Sequence, residues 1–411
     1  MTDSFQSPTP KAFRILFMGN LNAQFSEQMA LAAAPLVAVL TLSASAADTG
    51  LLQSAQTLPF LLLSLPAGIL ADRYPRARLM AAAEFTRALT LGLVLALYVM
   101  GKLNLELLAA LGFCGAVGTV VYNVAAPALV PGLVARASLA SANRWLEMAR
   151  SMAFAAGPAI GGTFVGWIGA PAAYETAVVL SLLAVAFQSR LPQEPPVTRS
   201  QRHALAELGE GWRFVMGHRL LKPMLICSII YNLGFFIIQG VFVAYAVHHL
   251  KLDAARIGLV LACFGFGMLT SGLIAPWLMA RLRPGLTIML GPTAGWGAAL
   301  MIALSVHWPS SLLVALAFYL LGFGAILWVI ATTTVRQMTT PGQLLGRVSA
   351  VLVTGSFGAR PLGAALAAGI AEIWGVNVCL YAAALCFALQ WTVIVASPIP
   401  QMLSYGEIAP A

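Results

Sequence analysis

The chain has 411 residues, of which 60% are hydrophobic and 9% charged, with a mean hydropathy of +0.87. Soluble domains carry about 25% charged residues, so this composition excludes a soluble globular protein. The formal charge of +9 does not point to nucleic acid, because the basic residues are spread over alternate connections between apolar segments.

A membrane-spanning helix needs about 20 predominantly apolar residues. In chain order the sequence predicts such helices over 14–42, 49–71, 79–100, 105–128, 143–168 and 171–190, then over 221–248, 255–280, 286–307, 310–334, 346–371 and 376–396. The first apolar stretch is too long for the core of a cleaved signal and is read as a retained helix 1. The expected fold is an all-α membrane protein of 12 transmembrane helices, arranged as two pseudo-symmetric six-helix bundles around a central cavity. Arg73, Arg76 and Arg78, Arg136 and Arg144, Arg199 to Lys222, Arg281 and Arg283, and Arg336 and Arg347 all fall on one side of that topology. The opposite connections hold Lys102, Lys251 and Arg256. Positive charge marks the cytoplasmic face, which predicts that both termini are cytoplasmic.

Helix 1 carries Asn20, Gln24, Glu27 and Gln28 at intervals of three and four, a polar stripe that suits a water-filled cavity and not lipid. An ionisable residue at this depth is a functional candidate by default, so Glu27 is read as a proton or substrate site, or as a hydrogen-bonded structural acid. Between helices 2 and 3 runs Gly68-Ile-Leu-Ala-Asp72-Arg73-Tyr74-Pro75-Arg76-Ala77-Arg78. There Gly68 permits close helix approach, and Asp72 at a helix end can pair with an arginine or another helix's N-terminus. Glu84 and Arg87 on helix 3 are three residues apart and are expected to neutralise each other, as are members of the Arg144, Glu147 and Arg150 series on helix 5. Helix 5 also carries Gly157-Pro158-Ala159-Ile160-Gly161-Gly162, small residues for tight packing around a proline bend.

The segment 191–202, LPQEPPVTRSQR, cannot insert and reads as a linker. The division is therefore 1–190 for the first bundle, 191–219 for a cytoplasmic linker with an amphipathic helix, and 220–411 for the second bundle and tail. Leu205, Leu208, Trp212 and Val215 give that linker helix an apolar face, for the membrane surface or for packing. Helix 7 repeats the polar and aromatic stripe with Tyr231, Asn232, Phe235, Gln239, Phe242 and Tyr245, where Gln239 is expected to correspond to Glu27. Trp328 on helix 10 is a further cavity candidate. Arg360 on helix 11 lacks a partner in its own helix and is read either as an anion-binding group or as a cap for carbonyls beside Pro361. The halves echo each other: Gly68 and Gly272 stand 204 apart, and Arg144 and Pro158 stand 203 from Arg347 and Pro361.

The 68–78 segment resembles the loop signature of the major facilitator superfamily, with Pro75 in place of a glycine. The helix 5 motif is similar to the Gly-Pro-x-x-Gly-Gly signature of its exporter and antiporter branches. Residues 209–225 and 346–364 resemble the branch that contains macrolide efflux pumps and the enterobactin exporter. The resemblance implies alternating access with a cytoplasmic gate at Asp72 that contacts helix 11, and efflux rather than import. It implies a bacterial cytoplasmic (inner) membrane transporter, which the arginine-rich basic complement also suits. The expected function is export of a small amphipathic molecule, a drug or hydrophobic metabolite, by proton antiport. Export of a siderophore or other secreted metabolite is the alternative, with import and lysophospholipid flipping ranked behind. The five cysteines lack metal-ligand spacing, no phosphate-binding loop is present, and His248 and His249 have no acid at ligand spacing. The expectation is therefore no enzyme activity, no metal and no cofactor, with the proton gradient as energy source. The expected partners are the substrate, protons and the bilayer, with no nucleic acid, for a monomer.

Overall fold

In lipid every backbone N–H and C=O must be satisfied within the protein, so the apolar stretches form helices. A computed structural model describes residues 11–135, 138–192, 204–341 and 343–403, apart from the side chains of Leu65, Ile69, Asp72, Arg73, Ala140 and residues 204–207. The first six helices are α1 (Lys11–Leu40), α2 (Ala46–Arg73), α3 (Arg76–Val99), α4 (Leu105–Leu133), α5 (Leu139–Trp167) and α6 (Ala170–Gln188). A short α7 (Ala204–Gly217) precedes α8 (Leu221–His248), α9 (Ala254–Arg281), α10 (Pro284–Leu304), α11 (Ser311–Thr339), α12 (Leu345–Trp374) and α13 (Val376–Val395). All but α7 have at least 19 residues. By length and composition 10 are apolar enough to cross a membrane. The two long helices that fall short are α2, which carries Asp48, Asp72, Arg73 and two prolines, and α5, which carries Arg144, Glu147 and Arg150. Both run at the interface between the halves, where polar groups have protein neighbours.

The duplication is visible in the packing. α1 lies against α5 and α6 as α8 lies against α12 and α13, and α3 lies against α4 and α6 as α10 lies against α11 and α13. α2 on α4 is matched by α9 on α11. The connections repeat as well. Ser43 and Lys251 both take positive φ (56° and 54°) before the N-caps Ser45 and Asp253, whose side chains accept from Asp48 N–H and Arg256 N–H. Gly169 and Gly375, with φ of 106° and 85°, make the same tight turn before α6 and α13, a backbone that a side chain rarely tolerates.

The halves meet along α5 with α9 and α2 with α12. Glycine at the first contact is a steric requirement: a Cβ at Gly162 would lie 2.6 Å from the Ala254 carbonyl oxygen and 2.7 Å from Gly258 Cα. On the same helix a Cβ at Gly157 would lie 2.6 Å from Gln28 Cβ, and one at Gly161 would lie 3.1 Å from the Met29 carbonyl oxygen. The helix 5 motif therefore seats α5 on α1 and on α9 at once, with Pro158 facing Gly258. At the other seam Ser54 donates to Pro361 O (3.1 Å), and Phe60 meets Phe357 edge-on at 5.8 Å. Gly50 sits against Ala368 near the face opposite the termini.

Residues 193–203 of the expected linker lie outside the described residues, as do the side chains of Leu205 and Glu207. α7 packs on α12: Val215 is fully buried among Leu221, Met224, Val348 and Val351, and Glu210 pairs with Arg347. Trp212 stays half exposed.

Candidate functional site

A cavity of about 620 Å3 lies between the halves. In the first half it reaches Val94, Leu108 and Tyr174 toward the face opposite the termini; in the second it reaches Leu221, Met224 and Arg336 toward the termini face. Its ionisable lining consists of Glu27, Arg87, Arg150, Arg336, Arg360 and the phenols of Tyr174 and Tyr231.

The first-half wall is organised by Arg87. Its guanidinium pairs with Glu84 (2.5 Å) and Glu27 (3.5 Å), and donates to Thr119 Oγ1 (2.7 Å) and Ala23 O (3.2 Å). Ser181 Oγ donates to the second Glu84 oxygen (3.3 Å) and contacts Ser26 Oγ at 2.9 Å. Two carboxyl groups thus share one guanidinium, so the cluster is neutral when one of them holds a proton. The acids differ in access: the Glu84 side chain is 0% exposed, whereas Glu27 is 17% exposed and borders the cavity. The expectation that Glu84 and Arg87 neutralise each other holds for the pair and omits its third member, which comes from another helix.

Arg150 pairs with Glu147 at 2.7 Å and lies over Phe154, while Arg144 is exposed and stands apart from that pair. On the second-half wall Arg360 donates from Nε to Asn232 Oδ1 (3.2 Å). Its guanidinium centre lies 3.8, 5.3 and 5.5 Å from the ring centroids of Phe357, Phe236 and Phe60. Asn232 donates to Ser228 O, and Trp328 Nε1 donates to Ser228 Oγ (3.2 Å).

Of the predicted lining residues, Glu27, Gln28, Tyr231, Asn232, Phe235, Gln239, Trp328 and Arg360 border the cavity. Three do not. Asn20 is buried and accepts from Tyr122 (3.1 Å), Gln24 is buried in the bundle, and Tyr245 is fully buried against Ser305 (2.7 Å). The polar stripe of α1 is wider than the strip that faces the cavity, and its excess is satisfied by neighbouring helices. In the 68–78 segment the close approach expected at Gly68 is absent: nothing among the described residues lies within 4 Å of a Cβ placed there. The Asp72 and Arg73 side chains lie outside the described residues; Arg76 donates to Ala128 O (3.0 Å), and Arg78 is exposed.

The sequence predicts a helix end at 334 with Arg336 in the connection, but α11 runs on to Thr339, so Arg336 lies within its last turn at the cavity wall. Pro341, the first helix breaker after it, was the available signal. Gln53 and Gln56 on α2 also border the cavity, and their spacing of three was legible.

Two bundles related by a repeat, with a mid-membrane cavity lined by charged and aromatic groups at their interface, define a secondary transporter. The sequence matches the family described as transmembrane secretion effector over residues 3–409, and the chain belongs to that family of the major facilitator superfamily. It is 28% identical over 384 residues to the multidrug efflux pump Tap of Mycobacterium bovis, which covers 91% of this chain and 90% of Tap. It is 25% identical over 316 residues to the enterobactin exporter EntS of Escherichia coli O1:K1, covering 74% and 72% of the two chains. Its fold is similar to a bacterial homologue of the iron transporter ferroportin in an inward-facing state, with a TM-score of 0.74, 15% identity and coverage of 95% and 99%.

Proposed function

We propose that this exporter moves a small amphipathic molecule out across the bacterial cytoplasmic membrane in exchange for protons, with both termini cytoplasmic. The observation that carries the reading is the Glu27–Arg87–Glu84 cluster at the cavity wall. An uncompensated charge in a site closed off from water and lipid is costly. One proton neutralises the cluster, so the empty carrier returns protonated and releases the proton when Glu27 meets water on the cytoplasmic side. Glu27 is the entry point, Glu84 the buried second acceptor, and Arg87 the group whose pairing shifts between them. The Gly157–Gly162 segment holds α5 against both α1 and α9, which ties the helix that carries Glu27 to the seam between the halves.

The likeness to Tap supports a drug or hydrophobic metabolite as cargo, and the likeness to EntS supports a secreted metabolite such as a siderophore. The test is a panel of aromatic amphipaths added to everted membrane vesicles that have been acidified inside, read by dequenching of a pH-sensitive dye. Wild type should release protons on addition of a cargo. Glu27→Gln and Glu84→Gln should each abolish proton release while cargo still binds. Undiminished proton-coupled, uphill transport in both variants would refute the assignment.

A further inference from the structure

The second-half wall of the cavity carries two arginines, Arg360 and Arg336, and no acid among its described lining residues. Arg87 is matched by Glu84 and Glu27, and Arg150 by Glu147. Arg360 and Arg336 have no carboxylate partner among the described residues, and Arg336 Nε is buried without any hydrogen-bond acceptor. Both border the cavity.

Arg360 is also posed. A single acceptor, Asn232 Oδ1, takes its Nε–H, and among the described residues nothing accepts from its two terminal nitrogens. Phe357, Phe236 and Phe60 surround the guanidinium. Rings orient a cation and partly offset its desolvation, but they do not neutralise it. A planar guanidinium with its outer edge unused matches the two oxygens of a carboxylate, a sulfonate or an ionised catechol. The same rings offer flat apolar area beside that edge.

We propose that the cargo is an amphipathic anion, an acid on an aromatic or similarly flat apolar body, whose acidic group is received by Arg360 with Arg336 adding positive charge on the same wall. The inference rests on the export reading and narrows its cargo. It leaves the proton cluster in the first half and places cargo recognition in the second, so the two fail separately.

The test uses three probes that share one apolar body: 1-pyrenebutyrate, 1-pyrenebutanamide and 1-pyrenebutylamine. Binding to the purified full chain in nanodiscs is read by energy transfer from tryptophan to pyrene. The carboxylate should bind about tenfold or more tighter than the amide, as expected for a charge-assisted bidentate contact, and the ammonium no tighter than the amide. Arg360→Gln should erase the carboxylate preference by weakening the carboxylate far more than the amide, while Arg360→Lys should keep part of it. Arg336→Gln should reduce the preference by a smaller factor. Four results would overturn the inference: a preference that survives Arg360→Gln, an equal weakening of all three probes in that variant, an ammonium that binds best, or no binding by any probe to a cavity of this size. If the Arg360-dependent preference is present but no probe drives proton release in everted vesicles, the anion site stands and the antiport reading fails.

Discussion

Replacing Arg87 with methionine isolates the energetics of the buried cluster from any question of transport. The substitution removes the ion pairs to Glu84 and Glu27 and the hydrogen bonds to Thr119 and Ala23 O. Glu84, with a fully buried side chain, is then left with Ser181 Oγ at 3.3 Å as its remaining partner. Removing one member of a buried pair costs about 3–5 kcal/mol, mostly because a charge is stranded. For a chain of this size, at about 1–2 °C per kcal/mol, that corresponds to a fall of about 3–10 °C in the unfolding midpoint. If stranding is the cause, Glu84→Gln in the Arg87→Met background should restore at least half of the loss. The midpoints of wild type, both single variants and the double variant, followed by intrinsic fluorescence in one detergent, complete the cycle. A single variant within about 1 °C of wild type, or a double variant no more stable than Arg87→Met, would refute the reasoning.

Gly162→Ala should destabilise the seam by about 1–3 kcal/mol, because the new methyl would sit 2.6 Å from the Ala254 carbonyl oxygen; the same thermal melt checks it. Gly50→Ala should likewise destabilise the α2–α12 seam in the same melt, since the new methyl would lie 2.8 Å from Ala368 N. His218 Nδ1 accepts from the N–H groups of Leu220 (3.2 Å) and Leu221 (3.3 Å) at the start of α8, and partial burial lowers its pKa below the usual histidine value. The unfolded chain therefore binds the proton first, so the stability of this junction should be constant above about pH 6.5 and decline as the pH falls below it. The protection of amides across 215–225, taken relative to the intrinsic exchange rate at each pH, should fall from pH 7.5 to pH 5.5 in wild type and show no such fall in His218→Gln.

The twelve long helices were legible because lipid imposes a length and a composition on each span, and few charges interrupt the pattern. Individual ends were less so: α11 continues past the hydrophobic stretch to Thr339, and that one extra turn converts Arg336 from a connection charge into a cavity group. The polar stripe of α1 includes Glu27, which borders the cavity, but does not separate it from Asn20 and Gln24, which do not. Which face of a helix meets water and which meets Tyr122 is decided by neighbours distant in sequence. The Glu84–Arg87 pair was visible from its spacing of three. Its link to Glu27 was not, because nothing local says that α1 and α3 bring those side chains together.

The repeat explains how a duplicated scaffold divides its chemistry. The turns at Ser43 and Lys251 set the register between α1 and α8 at 251 − 43 = 208, and the caps Ser45 and Asp253 keep it. In that register Glu27 corresponds to Phe235, not to Gln239, and Gln24 to Asn232. The first residues of α3 and α10, Arg76 and Pro284, give the same 208, which sets Glu84 and Arg87 against Pro292 and Gly295. The turns at Gly169 and Gly375 differ by 206, which sets Ser181 against Phe387. Every member of the acid cluster thus has an apolar counterpart. Phe387 fills the volume: it meets Tyr231 edge-on at 5.5 Å, and its ring lies 3.1 Å from where a Gly295 Cβ would stand. The exchange runs the other way at the second seam, where the offset of 203 sets Arg360 against Gly157, whose missing side chain admits Gln28. The first half carries the ionisable cluster on α1 and α3, whereas the second fills the matching positions with rings and small residues and carries Arg360 on its seam helix α12. The proposed proton site and the proposed cargo site stand on opposite walls of one cavity in that division, so the charge of each acts on the other across it.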